Sequence, residues 1–288
     1  MNKLLFQIDT DVIPNTFDTV VAYDGGADHV VRVGGVRPAD LPRLVDGAVF
    51  TRAPANKKFT ALFVTGSNVA DGEALFDAIR QRFFGNFRVS MMLDSNGANT
   101  TAAAAVAHIC KHLEPAGKRA VILAGTGPVG QRAAVLLARL GASVLLTSRD
   151  HQRAAAACAA MAQRFDVTLD AAAAGDAVST AACLAGAHVV VSTGAAGIRL
   201  LTEAQWAEHP TLELVMDANA TPPLGIAGIE MGDRGVERHG KTCYGALGFG
   251  GLKLELQRRC VGRLFESNDQ LMDAPEIFAL AQEAVKSR

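Results

Sequence analysis

Gly125-Thr126-Gly127-Pro128-Val129-Gly130 is a complete G-x-G-x-x-G, and the chemistry that spacing serves is the binding of a pyrophosphate. The first glycine permits a tight turn, the second lets backbone approach phosphate oxygens, and the third lets the following helix pack on the preceding strand. The helix N-terminus adds N–H donors and a positive dipole. A lone match is a weak sign, but here the context is right. Arg119 to Ala124 is a buried-strand run, Val129 to Leu140 has helical period, and Ser143 to Thr147 is a second strand reached after Gly141. The glycines therefore open the helix of a βαβ unit. The bland alternative is a glycine-rich structural turn.

The end of the second strand selects the dinucleotide, because an acidic residue there accepts from a ribose 2′-hydroxyl and repels a 2′-phosphate. The residues are Leu146-Thr147-Ser148-Arg149-Asp150. Arg149 can fork onto phosphate oxygens and Ser148 can donate a hydrogen bond, which favours NADP. Asp150, one position later, keeps NAD open, and a solvated arginine at a helix start is the plain reading of Arg149. Two further loops follow strand ends, where open α/β sheets bind ligands. Thr193-Gly194-Ala195 should approach a nicotinamide, since small residues let backbone meet a flat ring. Met216 to Pro223 offers Asp217 and Asn219 in a rigid turn, with ordinary loop chemistry as the alternative.

Familiar catalytic sets are missing. Tyrosine occurs only at 23 and 244, and the residues four further on are Ala27 and Gly248, so there is no Tyr-x-x-x-Lys acid. His108 and His112 share a helix face without the glutamate of H-E-x-x-H, and read as an ordinary histidine pair. No G-x-S-x-G elbow is present. The five cysteines (110, 158, 183, 243, 260) form no Cys-x-x-Cys pair, which argues against a disulfide framework and a metal site. A reaction here needs little acid or base.

The elements that must position these groups follow from pattern. In 288 residues, 28 Lys+Arg against 29 Asp+Glu leave a net charge of −1, so nucleic acid is not a partner. With 49% hydrophobic and 20% charged residues the chain is globular, one large or two ordinary domains long. Its first residues are too short an apolar run for a signal peptide, so a cytoplasmic protein is expected. The charge-free stretch between Asp176 and Arg199 is broken by Ser, Thr and Gly and is not a membrane span. Short Val/Ile/Leu/Phe runs alternate with alanine-rich helical segments, the pattern of an α/β protein. Strands are expected near 3–8, 48–51, 59–64, 87–92, 187–192 and 212–217, besides the two above. Helices should open near Pro14, Pro38 and Val69 and after Gly97, with later ones over 249–265 and 273–285. Alanine at 154–160 and 171–174 reads as helix former. Glu114-Pro115-Ala116-Gly117 is the best linker. The expected plan is an amino-terminal α/β domain over 1–114, a Rossmann domain over 115–261, and a segment 262–288 whose helix returns to the first domain.

Several motifs together resemble one family, the methylenetetrahydromethanopterin dehydrogenases of methylotrophic bacteria. They are Tyr23-Asp24-Gly25-Gly26-Ala27-Asp28-His29, Leu93-Asp94-Ser95-Asn96-Gly97-Ala98-Asn99-Thr100-Thr101, the 125–130 glycines, Pro222-Pro223-Leu224-Gly225-Ile226 and Gly245-Ala246-Leu247-Gly248-Phe249-Gly250-Gly251-Leu252-Lys253. The resemblance spans essentially the whole chain. It implies a pterin cleft between the two domains, a homo-oligomeric, trimeric enzyme of one-carbon metabolism, and oxidation of methylenetetrahydromethanopterin to the methenyl form with NADP. Some members also take NAD or methylenetetrahydrofolate. The related folate dehydrogenase/cyclohydrolases use a Tyr-x-x-x-Lys lysine absent here, so no cyclohydrolase activity is expected. The resemblance also implies site residues. Asp24 and Asp94 would anchor the pterin or stabilise its cationic product, with helix capping and turn formation as the alternative. Asp18 is a weaker candidate for the same cleft. Asn96 and Asn99 would bind pterin amide groups, and Lys253 matches an active-site lysine.

The inventory suits that chemistry. A hydride leaving a carbon between two nitrogens leaves an amidinium stabilised by those nitrogens, and no proton moves. Two rival readings are a shikimate-dehydrogenase-like enzyme, with Lys57, Lys58 and Asp94 moving a proton, and a non-catalytic NADP-binding module.

Overall fold

The computed structural model describes residues 1–286. The chain begins β1 (Leu4–Asp9), α1 (Thr16–Asp24), β2 (His29–Val33), α2 (Leu41–Phe50), β3 (Thr60–Thr65), α3 (Val69–Gln81), β4 (Ser90–Leu93) and α4 (Ala98–His112). It continues β5 (Arg119–Leu123), α5 (Pro128–Arg139), β6 (Ser143–Ser148), α6 (His151–Phe165), β7 (Asp170–Ala173), α7 (Ala177–Cys183), β8 (Val189–Ser192), α8 (Glu203–Trp206) and β9 (Leu214–Asp217). It closes β10 (Arg234–Arg238), β11 (Lys241–Tyr244), α9 (Ala246–Arg263), β12 (Leu271–Met272) and α10 (Ala274–Lys286). Two compact units result, one of residues 1–100 with 254–284, the other of 101–253 with the described residues beyond 284. The change-overs fall inside α4 and α9, where a continuous helix leaves no break in composition. The last two positions of the 262–288 segment lie outside the described residues.

The first unit is built on a parallel sheet of order β2-β1-β3-β4-β12. Every residue of β3 and β4 is buried, which is why they read as unbroken apolar runs. Val45 and Val49 of α2 and Leu75 and Ile79 of α3 pack one face onto Leu62, Val64, Met91 and Leu93. The expected strand near 48–51 is overturned. Ala48, Val49 and Phe50 are the last turn of α2, because Leu41, Val45, Ala48 and Val49 form a buried stripe of helical spacing. Strand β2 went unforeseen since it is an edge with no buried residue to mark it.

The second unit carries a sheet of order β10-β11-β9-β8-β5-β6-β7, parallel except for β10. From β7 to β11 this is the Rossmann strand order. Trp206, Leu201, Leu184 and Ile226 close one face over Val121, Val190 and Val215. Ala171-Ala172-Ala173 is strand β7, against the helical reading of 171–174, because pairing with Leu146, Thr147 and Ser148 of β6 overrides alanine's preference. The β10–β11 hairpin turns through His239 and Gly240, both at positive φ, 51° and 70°. That is the geometry of a two-residue primed turn.

Candidate active site

The glycine loop of the second unit is shaped by contacts that a side chain would block. The Gly125 N–H donates to Thr147 O at 2.8 Å. A Cβ on Gly125 would lie 2.8 Å from Ile122 Cγ2 and 2.9 Å from Leu146 Cγ. On Gly130 it would lie 2.6 Å from Gly125 Cα, so here helix α5 meets strand β5. Gly127 differs, since a Cβ there would meet nothing within 4 Å. It is the N-cap of α5, with Pro128 at the first helical position and Val129 next, so N–H groups face open space. That space is a cavity of about 580 Å³, within the range of cofactor sites.

Of the residues the sequence singles out for the dinucleotide, Thr126, Gly127, Ser148, Arg149, Thr193, Gly194 and Ala195 line this cavity, and Gly125, Pro128, Val129 and Gly130 do not. Arg153 and Thr180 line it too and were missed. Arg153 sits in the first turn of α6, and its signal was a second arginine close behind the strand end. Neither arginine has a carboxylate partner among the described residues, whereas Asp150 is engaged as the N-cap of α6. Its Oδ1 accepts the N–H groups of Gln152 at 2.7 Å and Arg153 at 3.3 Å. The strand end thus offers two cations to a ligand and spends its acid on a helix.

Asp217 and Asn219, also singled out by the sequence, are not among the residues that line the cavity. Asp217 is fully buried and accepts the N–H groups of Asn219 at 3.0 Å and Ile226 at 2.9 Å. Burial pushes its carboxyl up, opposed by those hydrogen bonds. It holds the loop after β9 in shape. Asn219 Oδ1 accepts from Thr221 N at 2.9 Å, and its buried Nδ2 has no hydrogen-bond partner.

In the first unit the predicted carrier-binding residues are largely built into the fold. Asp94 is fully buried and accepts Thr100 N at 3.0 Å and Thr100 Oγ1 at 2.6 Å, tying the strand end to the first turns of α4. Asn99 Nδ2 donates to Leu93 O at 2.7 Å and Asp273 Oδ1 at 3.0 Å. Asp24 is ion-paired with Arg258 at 2.9 Å. The glycine after it is packing, for a Gly25 Cβ would lie 2.6 Å from Val261 Cβ. Asn96 is exposed, with left-handed backbone at φ 54°. Asp18 is buried and accepts from Gln257 Nε2 at 3.0 Å. Gln257, itself fully buried, went unread because a lone glutamine in a helix carries no pattern. Lys253 is half-buried on α9. Among the described residues no three His, Cys, Asp or Glu side chains converge to hold a metal ion, and no helix is long and apolar enough to cross a membrane.

A Rossmann sheet with an open glycine cradle and two arginines lining the cavity at its second strand end defines a dinucleotide-binding protein of the dehydrogenase class. Residues 16–96 match the family described as methylene-tetrahydromethanopterin dehydrogenase, N-terminal. A protein of Methylorubrum extorquens named bifunctional protein MdtA is 52% identical over 283 residues, 98% of each chain. The NAD(P)-dependent methylenetetrahydromethanopterin dehydrogenase of the same organism is 31% identical over 277 residues, 93% of each. The chain belongs to the methylenetetrahydromethanopterin dehydrogenase family. A shikimate 5-dehydrogenase of Listeria monocytogenes, solved with shikimate and NAD, aligns at TM-score 0.50 and 13% identity over 97% of this chain and 96% of that one, a likeness of fold alone.

Proposed function

We propose that the protein is an oxidoreductase of one-carbon metabolism that passes a hydride from methylenetetrahydromethanopterin to NADP, yielding the methenyl carrier. The observation that carries this reading is the full-length kinship to a dehydrogenase of that name. The choice of NADP rests on Arg149 and Arg153, both at the cavity without a carboxylate partner among the described residues, and on the capping of α6 by Asp150. NADP supplies the hydride acceptor when bound. Thr126, Gly127 and the N-terminus of α5 hold its pyrophosphate, the two arginines hold the 2′-phosphate, and Thr193-Gly194-Ala195 come up to the ring.

The bond broken is the C–H of the one-carbon bridge, its electron pair leaves with the hydrogen, and the flanking nitrogens take up the positive charge. Positioning and exclusion of water are then the protein's work. Asp18 is assigned to the carrier, near the charge that develops, and Lys253 to its orientation. Asn96 contributes an exposed amide to the same ligand. Asp24, Asp94 and Asn99 serve the scaffold that presents them. Methylenetetrahydrofolate, with nearly the same pterin and bridge, falls within the reading, as do a trimeric assembly and a cytoplasmic setting.

Steady-state kinetics with both methylene carriers crossed against both dinucleotides test it. Turnover of methylenetetrahydromethanopterin with NADP as the best pair is expected. Oxidation of shikimate instead, or NADP binding without turnover of either carrier, would refute it.

A further inference from the structure

The second unit has another cavity, of about 340 Å³, between the last two turns of α4 and the β10–β11 hairpin. His108, Lys111, His112, Arg234, Gly235, Tyr244 and Val285 line it, and among the described residues no carboxylate does. Lys111 and Arg234 have no ion-pair partner among the described residues. Some arginines elsewhere are matched, Arg238 with Asp233 at 2.8 Å and Arg82 with Asp46 at 2.7 Å. Two uncompensated cations facing one concavity repel each other, and a bound anion would relieve that.

The neutral groups that line the pocket with them can supply one further donor, the Tyr244 hydroxyl when His112 Nε2–H donates to it. His112 Nε2 lies 2.8 Å from Tyr244 Oη, and the Tyr244 ring packs on His108 with centroids 4.9 Å apart. Burial pushes the Tyr244 phenol up, with Arg234 opposing, so the hydroxyl keeps its proton. Burial, together with the Lys111 charge, holds the His112 imidazole below the usual histidine range. Gly235 sits at φ 67°, and a Cβ there would lie 3.1 Å from Tyr244 Oη and 3.4 Å from His112 Nε2. A side chain at 235 would cover these polar atoms.

We propose that this pocket binds a small phosphate monoester, separately from the dinucleotide cavity. The charges call for a dianion, and a guanidinium fork beside an ammonium suits oxygens gathered on one tetrahedral phosphorus better than two separated carboxylates. One guanidinium fork and one ammonium supply two positive charges, matching the roughly −1.5 to −2 of a phosphate monoester at neutral pH. A single carboxylate would leave one cation uncompensated. The inference does not rest on the proposed reaction.

The test follows the ring proton signals of His112, assigned with His112→Gln, while glycerol 3-phosphate, inorganic phosphate or succinate is titrated into the full chain with and without NADP. A saturable shift with a dissociation constant of about 1 mM or tighter is expected for the two phosphates in both conditions. Arg234→Ala should weaken it about tenfold or more, and Lys111→Ala should weaken it in the same direction, with melting temperatures unchanged because both residues are exposed. Succinate should bind about tenfold more weakly than glycerol 3-phosphate. No saturable shift, an unaltered curve in Arg234→Ala, a response abolished by NADP, or succinate equal to the phosphates would each overturn the proposal.

Discussion

Asp150 Oδ1 accepts the backbone N–H of Arg153 at 3.3 Å, so the acid that follows β6 caps the helix whose first turn aims a cation at the dinucleotide cavity. The sequence alone left this acid and the neighbouring Arg149 as competing readers of the ribose. The capping bond separates their roles. It also fixes Arg153 beside Arg149 by anchoring the turn from which its side chain projects.

Arg149→Ala and Arg153→Ala should therefore each weaken NADP, and NAD much less. A guanidinium against a 2′-phosphate is worth roughly 1.5 to 3 kcal/mol, or about 10- to 100-fold in affinity. NAD has no such phosphate, so its KM should stay within about threefold. The double variant should lose less than the product of the two, because both cations serve one phosphate. Kinetics with each dinucleotide decide it, and equal damage to both would return the arginines to solvent.

Asp150→Ala isolates the other half of the relationship. Loss of an N-cap costs about 1 kcal/mol of stability, so the urea midpoint should fall while the NADP to NAD ratio of kcat/KM holds steady. An acid that met the ribose would behave differently. Its removal would raise NADP use and lower NAD use.

Asp94 is predicted to act on stability more than on chemistry. Its buried carboxylate takes both the N–H and the hydroxyl of Thr100, and Asp94→Ala leaves that N–H without its acceptor at a cost of about 2 kcal/mol. Thr100→Val, which removes only the hydroxyl, should cost about 1 kcal/mol in the same direction. Urea unfolding of both variants beside carrier turnover is the check. Asp94→Ala with an unchanged midpoint and lost turnover would place the carboxylate on the carrier after all.

The glycine turn and the strand end beside it were legible because their pattern is local. Gly125, Gly127 and Gly130 lie within six residues, and the strand and helix around them announce themselves by period. Asp150 was legible in principle as a cap, since a helical run begins at His151, but a ribose-binding role at the same position competes for the same signal. Gln257 and Asp18 are 239 positions apart, and nothing local marks either as the other's partner. The alanines of β7 failed for a related reason. Their intrinsic preference is helical, and only the exposed edge of β6, invisible in the chain's order, makes them a strand. The β10–β11 hairpin was missed although His239-Gly240 is a two-residue turn signal, because its flanking strands carry Arg, Glu and Lys in place of a clean alternation.

That hairpin holds a buried ion pair whose pH dependence can be worked out. Asp233 is almost fully buried and accepts from Arg238 Nε and Nη2, both at 2.8 Å, and from Glu230 N at 2.9 Å. Burial alone would push its carboxyl up, but the Arg238 guanidinium and the Glu230 N–H hold it below the usual range. A folded value below the unfolded one means the contribution is complete above the ordinary aspartate pKa and is lost as pH falls through the folded value. Arg238→Gln removes the charge, so burial is opposed mainly by the Glu230 N–H and the carboxyl should move up. Breaking a buried pair costs about 3 to 5 kcal/mol, and the partial exposure of Arg238 reduces that to about 2 kcal/mol at neutral pH. The deficit should shrink toward pH of about 3, because a protonated Asp233 no longer needs the guanidinium. Urea unfolding of both proteins at the two pH values measures the gap, and a gap of equal size at both would mean that Arg238 stabilises the hairpin by packing and not by charge.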